Sequence, residues 1–430
     1  MQEKQNNSNA IIIIGILFFV FGFVTWLNGT LIPFLKLACQ LENDIQAFFV
    51  TFAFYMAYFF LAIPSSIILK RTGFKNGMAL GLMVMAIGSV IFVPAANARS
   101  FGLFLTGLFV QGMGLALLQT ASNPYISIVG PIESAAKRIS IMGICNKVAG
   151  MLSPIILGAL VLKNASSIEE QVNKATDAAS KNELLNQLSS RVITPYIVMA
   201  VVLVLLAIMI KKSSLPEIDI DKEEATSANL APAKRSVFQY KHLVLGVLCL
   251  FLYVGVEVMA GDAIGAYGRQ LGMPLDKTKY FTAFTLLAML AGYVIGIITI
   301  PKYISQQNAL AVSAVLGIIF SACVFITTGY TAITFIALLG LANALMWPAI
   351  FPLAIDGLGK FTKIGSALLV MGIGGGALLP LLYTTLKDKQ IASNAGSFLI
   401  CMLPAYAYIY YYAVSGYAVG KIKATTVKIA

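Results

Sequence analysis

The sequence has few of the side chains that enzymes and metal sites use. Of its 430 residues, 11% are charged, 18 are acidic, and His242 is the only histidine. The five cysteines lie far apart and form no CxxC pair: Cys39, Cys145, Cys249, Cys323 and Cys401. These shortages exclude a histidine proton relay and disfavour a metal or redox centre. No nucleophile, base and orienting group occur together, so we expect neither an enzyme nor a cofactor.

Apolar residues, by contrast, make up 59% of the chain, and the mean hydropathy is +0.85. An apolar run of roughly 18 residues or more can cross a bilayer as a helix. Such runs lie near 10–36, 46–69, 77–97, 101–128, 139–162, 194–211, 242–268, 278–301, 306–328, 331–355, 363–386 and 396–420. The sequence therefore predicts an all-α membrane protein with twelve transmembrane helices.

The basic residues are unevenly divided between the two sides of the membrane. With the N-terminus inside, 18 Lys and Arg fall on the inner connections and tails and 11 on the outer ones. This excess predicts that both termini are cytoplasmic. The net charge of +12 is scattered over short loops, so it indicates membrane topology and no nucleic-acid partner.

The chain divides into two halves that resemble each other. Residues 211–241 are the longest charged cytoplasmic stretch and are predicted to be a linker. They separate an N-terminal six-helix bundle, 1–210, from a C-terminal one, 242–430. AGMLSP in the fifth run and GGALLP in the eleventh lie at equivalent places, as expected for parallel repeats in a transporter.

A cluster of polar residues interrupts the fourth run, in the stretch LLQTASNPYISIVG. Gln119 and Asn123 are four residues apart, so on a helix they share one face. An amide both donates and accepts hydrogen bonds, which suits a polyhydroxylated solute in a wet cavity. The structural alternative is that these amides join two helices within the membrane.

Other apolar runs carry further candidates for the same cavity. Asn28 and Asn146 offer amides, and Trp26 offers an indole that stacks on a sugar ring or anchors the helix at the interface. In the tenth run Asn343 and Trp347 are four residues apart, and Trp347 is the better candidate for stacking. The predicted substrate-binding set is Trp26, Asn28, Gln119, Asn123, Asn146, Asn343 and Trp347.

Two acidic residues lie inside an apolar run, Glu257 and Asp262 in GVEVMAGDAIG. A carboxylate at mid-membrane costs roughly 2.5 to 3.5 kcal/mol on insertion scales, so each needs a reason to be there. We predict that they couple transport to a cation, with Glu257 the first choice. The alternative is a fixed structural role, with the carboxylate paired with Lys147 or capped by amides. The two acids are five positions apart, so on a helix they face different surroundings unless Gly261 breaks it.

Several strings together resemble the fucose permease branch of the major facilitator superfamily. They are WLNGTLIPFL, LLQTASNPYI, RISIMGICNK, YVGVEVMAGD and MGIGGGALLP, and the first two look most like the N-acetylglucosamine and glucose/galactose permeases. The resemblance implies two six-helix bundles, alternating access and sugar uptake across a bacterial inner membrane. It also places Asn146 and Trp347 on sugar-cavity positions.

The chain departs from that pattern at two acidic positions. It has Gly29 where the fucose permeases have an Asp in the first span, and Gln119 where they have a Glu in the fourth. Coupling through those positions is excluded here, which leaves Glu257 and Asp262. We therefore expect a cation-coupled symporter, with a proton as the first choice, for N-acetylglucosamine or a glucose-type hexose. Sodium coupling, an exporter of apolar solutes and a sugar sensor that does not transport remain as alternatives.

Overall fold

The computed structural model describes residues 2–128, 135–175, 177–213, 215, 236–300, 302–358 and 361–420, and it is helical throughout, with no strand in these ranges. The N-terminal half contains the helices Gln2–Thr25, Asn28–Ala38, Asp44–Asn97, Phe101–Ile128, Ala135–Val161, Ala165–Lys174, Ala178–Ser190 and Ile193–Lys212. The C-terminal half contains Lys241–Gly261, Ala263–Gln270, Leu275–Thr278, Phe281–Thr299, Gln306–Ile326, Gly329–Asn343, Met346–Ile355, Thr362–Met371, Gly375–Asp388 and Asn394–Val414. Most of the predicted linker, 211–241, lies outside the described residues.

Within these ranges, 11 helices are long and apolar enough to cross a membrane. One of them, Asp44–Asn97, has 54 residues and non-helical backbone angles at Gly73. At 1.5 Å per residue, the two parts of this segment on either side of Gly73 together measure about 80 Å, more than twice the roughly 30 Å of a bilayer core. It therefore supplies two crossings, the second and third, which gives the twelve spans predicted from hydropathy.

The outer surface of the helices is apolar, as a lipid-facing surface must be. On the sixth span, Val198, Val201 and Leu205 follow a helical spacing, and each side chain is more than half exposed. Because lipid tails are as apolar as these side chains, the helices are held together by close packing and polar contacts between them.

Several spans are interrupted near their middle. The first span breaks at Trp26 and Leu27, between the helices Gln2–Thr25 and Asn28–Ala38. The seventh breaks at Asp262, and the tenth breaks at Ala344 and Leu345. Interrupted helices within a membrane are tolerated where protein or a cavity satisfies the backbone groups that they expose. These breaks therefore indicate that a functional site lies near the middle of the molecule.

The first span begins and the twelfth ends on the same side of the helix bundle, which we call the terminal face; the opposite side is the distal face. At the distal face Asp44 accepts hydrogen bonds from Lys36, from Lys387 and, at 3.0 Å, from Gln270. The Ile45 backbone N–H donates to Asp388 at 3.0 Å. Except for the bond from Lys36, these contacts join the two halves.

A second group of distal contacts comes from segments that the hydropathy profile did not predict. After the fifth span the chain forms two polar helices, Ala165–Lys174 and Ala178–Ser190. Glu169 of the first pairs with Arg269 of the C-terminal half at 2.5 Å. Asp276 accepts from the backbone N–H groups of Ala165 and Ser166 at 3.2 Å. With the Asp44 contacts, these bonds form what we call the distal network, which holds the two halves together at that face.

Candidate functional site

A cavity of about 1090 Å³, counting its open mouth, lies between the two halves. Its lining comes from the middle of the spans and from their terminal-face halves, as with Gln119 in Phe101–Ile128 and Ile139 in Ala135–Val161. The cavity therefore extends from mid-membrane toward the terminal face. Because the distal network closes the opposite side, this arrangement corresponds to one of the two end states of an alternating-access transporter.

The N-terminal half provides the amides of the cavity wall. Gln119 and Asn123 both line it, as their spacing on the unbroken helix Phe101–Ile128 predicts. Gln119 donates a hydrogen bond to the Tyr58 hydroxyl at 3.1 Å, and Asn146 donates to the Phe18 carbonyl at 3.4 Å. Both side chains are half-buried. These bonds orient the amides while leaving them in contact with the cavity.

Lys147 and Glu257 form an ion pair across the cavity wall. The Lys147 Nζ lies 2.8 Å from the Glu257 Oε1, and the residues are only 6% and 8% exposed. They belong to the fifth and seventh spans, so the pair joins the two halves. A buried pair of this kind is costly to break by removing one partner. The structure thus contains the pairing that was the structural alternative for Glu257.

Trp26 lies beside this ion pair and is packed between the halves. The Lys147 Nζ is 4.7 Å from the centroid of the Trp26 ring. One edge of the Trp26 ring lies against Gly261 of the seventh span, where an added Cβ would clash with the ring. The indole lines the cavity but is only 2% exposed. Trp26 is therefore packed between the two halves of the protein.

The C-terminal half provides an aromatic and apolar wall. Trp347 and Phe351 stack with their ring centroids 5.8 Å apart and their planes at 23°. Pro348, Pro352 and Ile373 complete this surface. Such a wall matches the apolar face of a pyranose ring, as the position of Trp347 suggested.

Three of the predicted site residues lie outside the cavity lining. Asn343 is fully buried and accepts a hydrogen bond from Tyr406 at 2.8 Å. Trp347, four residues further on and beyond the break at Ala344 and Leu345, lines the cavity, so the two side chains do not meet there as predicted. Asn28 and Asp262 are buried next to the breaks in the first and seventh spans.

Tyrosines of the cavity wall were not found from the sequence. Tyr55 and Tyr58 lie on one face of the second span and are 3% and 1% exposed, and Tyr253 and Tyr293 line the cavity from the C-terminal half. A tyrosine combines an apolar ring with a polar tip, so its hydropathy does not single it out from other core residues. Their spacing of three residues on one helix was the available signal for Tyr55 and Tyr58.

The chain is similar to known transporters along almost its whole length. Residues 14–380 match the family model of the Major Facilitator Superfamily. A glucose/galactose transporter of Brucella abortus is 34% identical over 419 residues, which covers 96% of this chain and 95% of that protein. An L-fucose-proton symporter of Escherichia coli is 27% identical over 370 residues, which covers 85% and 84% of the two chains.

Comparison of structures gives the same result. The crystal structure of a Major Facilitator Superfamily transporter, FucP, in the outward conformation matches with a TM-score of 0.72 and 27% identity, covering 94% of this chain and 97% of that one. The sequence and the fold therefore both match this superfamily. The chain is a membrane transporter that belongs to the Major Facilitator Superfamily, in the branch of the glucose/galactose transporters and the fucose-proton symporters.

Proposed function

We propose that this protein takes up a neutral monosaccharide together with a proton by alternating access. The observation that carries the proposal is the composition of the cavity, which has oriented amides on one wall and stacked aromatic rings on the other. The named activities of the Brucella and E. coli relatives support a sugar as the substrate and, for the fucose relative, a proton as the coupling ion.

In this proposal the N-terminal half recognises the sugar hydroxyls. Gln119, Asn123 and Asn146 donate to and accept from the hydroxyls, replacing the water that the sugar loses on entry. Trp347 contacts the apolar face of the ring, and Trp26 closes the floor of the cavity. Asn28 and Asn343 act indirectly, from behind the wall.

We assign cation coupling to the two acidic residues of the seventh span, Glu257 and Asp262. Glu257 reaches the cavity, and its pairing with Lys147 joins the two halves. A link of this kind changes partners when the halves rock apart, so it ties occupancy of the cavity to the conformation of the protein.

The substrate is proposed to be a hexose of the glucose and galactose type. The relatives compared above support this class, and none of them is named for N-acetylglucosamine. The excess of basic residues on the terminal face supports a bacterial inner-membrane protein with both termini and the linker 211–241 in the cytoplasm. Residues 1–210 and 242–430 are then the two moving bundles.

The test is transport by the purified protein in liposomes. We expect counterflow of glucose or galactose without any ion gradient and uphill accumulation when the outside is made acidic. A sodium gradient at constant pH, N-acetylglucosamine, fucose and a lipophilic cation are the comparison arms. Absence of sugar counterflow, or transport of the lipophilic cation alone, would overturn the proposal in favour of an exporter of apolar solutes.

A further inference from the structure

The breaks in the first and seventh spans face each other across the two halves. An added Cβ on Gly29, just after the first break, would lie 3.3 Å from the Asp262 Oδ1 and would clash with the Thr282 hydroxyl. Thr282 in turn donates to the Gly261 carbonyl at 2.7 Å. The absence of a side chain at position 29 therefore lets the Asp262 carboxylate lie against the backbone of the opposite half.

Among the described residues, Asp262 differs from Glu257 in having no counter-charge. Glu257 is neutralised by Lys147 at 2.8 Å. Asp262 is 1% exposed, and within the described part of the chain neither of its oxygens makes a side-chain hydrogen bond or an ion pair. Even with the Gly29 backbone N–H beside it, an ionised carboxylate in such a place is disfavoured, so closure of the halves favours the neutral, protonated acid.

The surroundings of Asp262 lead toward the sugar cavity. The phenol of Tyr55 is within hydrogen-bonding reach of the Asn28 side chain and within electrostatic range of the Asp262 carboxylate, and the same residue lines the cavity. Asn28 is fully buried, and neither atom of its amide has a hydrogen-bond partner of standard geometry among the described residues. A hydroxyl both donates and accepts hydrogen bonds, so Tyr55 can take part in proton transfer between Asp262 and the sugar cavity.

We infer that Asp262 holds the coupling proton in a compartment separate from the sugar, and that the Tyr55 hydroxyl connects the two. Opening of the distal face exposes Asp262 to the outer solution, where the carboxylate takes up its proton. Closure over Gly29 buries the neutral acid. When the cavity opens at the terminal face, the proton leaves past Tyr55, and the cost of the buried carboxylate that remains favours return to the state with the distal face open.

This inference rests on the proposed function and divides the work between the two acids. The groups near Asp262 that can titrate are Glu257 on its own span and Tyr55 on the second span, whereas the first and eighth spans present Gly29 and Thr282. Glu257, paired with Lys147, serves the switch between states. Asp262 alone then sets the pH dependence of accumulation.

The experiment compares Asp262→Asn, Tyr55→Phe and Glu257→Gln in liposomes, with sugar counterflow and pH-driven accumulation measured side by side. At one proton per sugar, one pH unit drives about tenfold accumulation by the wild type. Asp262→Asn is expected to retain counterflow, to lose its dependence on pH, and to reach an accumulation ratio of about one, since no cation is coupled. Glu257→Gln is expected to slow both modes together because it leaves Lys147 unpaired.

Tyr55→Phe keeps the ring and removes the hydroxyl. We expect it to bind sugar with little change and to release protons slowly, so that accumulation falls more than counterflow. Thr285→Val is the matched control, since Thr285 donates to the Ala260 carbonyl at 2.8 Å and packs on the same span without reaching the carboxylate. Both transport modes of this control should match the wild type.

The outcomes separate this inference from the proposed function. If the wild type accumulates sugar with pH and Asp262→Asn still does so, the assignment of Asp262 is overturned while sugar symport stands. If a sodium gradient drives the wild type and a pH gradient does not, the proton assignment is overturned. If Asp262→Asn loses counterflow as well, its thermal unfolding is measured with and without the sugar. A variant that is folded and stabilised by the sugar, but cannot exchange it, contradicts a proton compartment separate from the sugar.

Discussion

The two walls of the cavity are built from different chemistry. Amides at Gln119, Asn123 and Asn146 come from the N-terminal half, whereas the C-terminal half presents the Trp347 and Phe351 rings and two prolines. Glu257 places an acid on the C-terminal wall and is paired there with Lys147 of the N-terminal one. The cavity amides thus all come from one half, whereas aromatic rings line the cavity from both. In the proposed function, the first half orients the solute by hydrogen bonds and the second closes on it with Trp347.

Amides outside the cavity have a purely structural role and provide a comparison for the amides that line it. Gln111 donates to Ser89 at 2.8 Å inside the N-terminal bundle, and Asn343 accepts from Tyr406 inside the C-terminal one. Both are fully packed. The same functional group therefore joins helices in one place and faces an open chamber in another, and only its surroundings distinguish the two uses.

Lys147→Met should have the largest effect, because it leaves Glu257 buried on the apolar wall without a partner. Breaking a buried ion pair in this way costs about 3–5 kcal/mol. We expect a large fall in the thermal unfolding temperature in detergent and loss of transport. The double variant Lys147→Met with Glu257→Gln removes both charges and should recover most of the stability but not the transport rate. A single variant as stable as the wild type would show that the pair does not join the halves.

Removal of an amide from the polar wall should come next. Gln119→Ala and Asn146→Ala each leave sugar hydroxyls without partners, at about 1–3 kcal/mol for each unsatisfied group, so the combined loss of several bonds reduces sugar binding below detection. Isothermal titration with the transported sugar measures this. Gln111→Ala is the matched control: it should lower stability and leave the sugar affinity unchanged. Equal affinities for all three variants would mean that the polar wall does not contact the sugar.

The sequence predicts the spans well and the contacts between them poorly. The fourth run, 101–128, coincides with the helix Phe101–Ile128, because length and hydropathy alone determine which segments prefer lipid. Lys147 and Glu257 meet from spans of different halves, and no local pattern encodes that pairing. The polar helices Ala165–Lys174 and Ala178–Ser190 were missed because they do not cross the membrane.

Helical spacing succeeded or failed according to whether the helix was continuous. Gln119 and Asn123, on an unbroken helix, both line the cavity. Asn343 and Trp347 lie on either side of the break at Ala344 and Leu345, and only Trp347 lines the cavity. Nothing in the apolar composition of the tenth span predicts that break. At Gly261, by contrast, the possibility of a break was visible, and the helix does end there.

A smaller effect is expected on the apolar wall. Trp347→Leu keeps the surface apolar but removes the ring that stacks with Phe351, so we expect the sugar to lose about 0.5–1.5 kcal/mol, or up to about tenfold in affinity. The loss should be similar for glucose and galactose, because stacking does not read the position of a single hydroxyl. Trp347→Phe should lose less. A variant that discriminates strongly between the two sugars would place hydrogen-bonding specificity on the C-terminal wall and so contradict the division of roles.

The smallest effect concerns the balance between the two end states and not the walls themselves. Asp44→Asn weakens the contacts to Lys387 and Gln270 that close the distal face. The side chains of Asp44 and Lys387 are buried, but the amide still accepts hydrogen bonds and Lys387 keeps Asp388 at 3.2 Å, so the net loss is about 1 kcal/mol. The closed distal state should therefore lose up to about fivefold in population relative to the open one. In a background with all five cysteines replaced by serine, Ile139→Cys reports this shift, because Ile139 lines the cavity on the terminal-face side. Its reaction with a water-soluble thiol reagent should slow when Asp44→Asn is added, and more so at low salt, where the wild-type network is strongest. Unchanged labelling would mean that apolar packing between the halves, and not the distal network, holds this face closed.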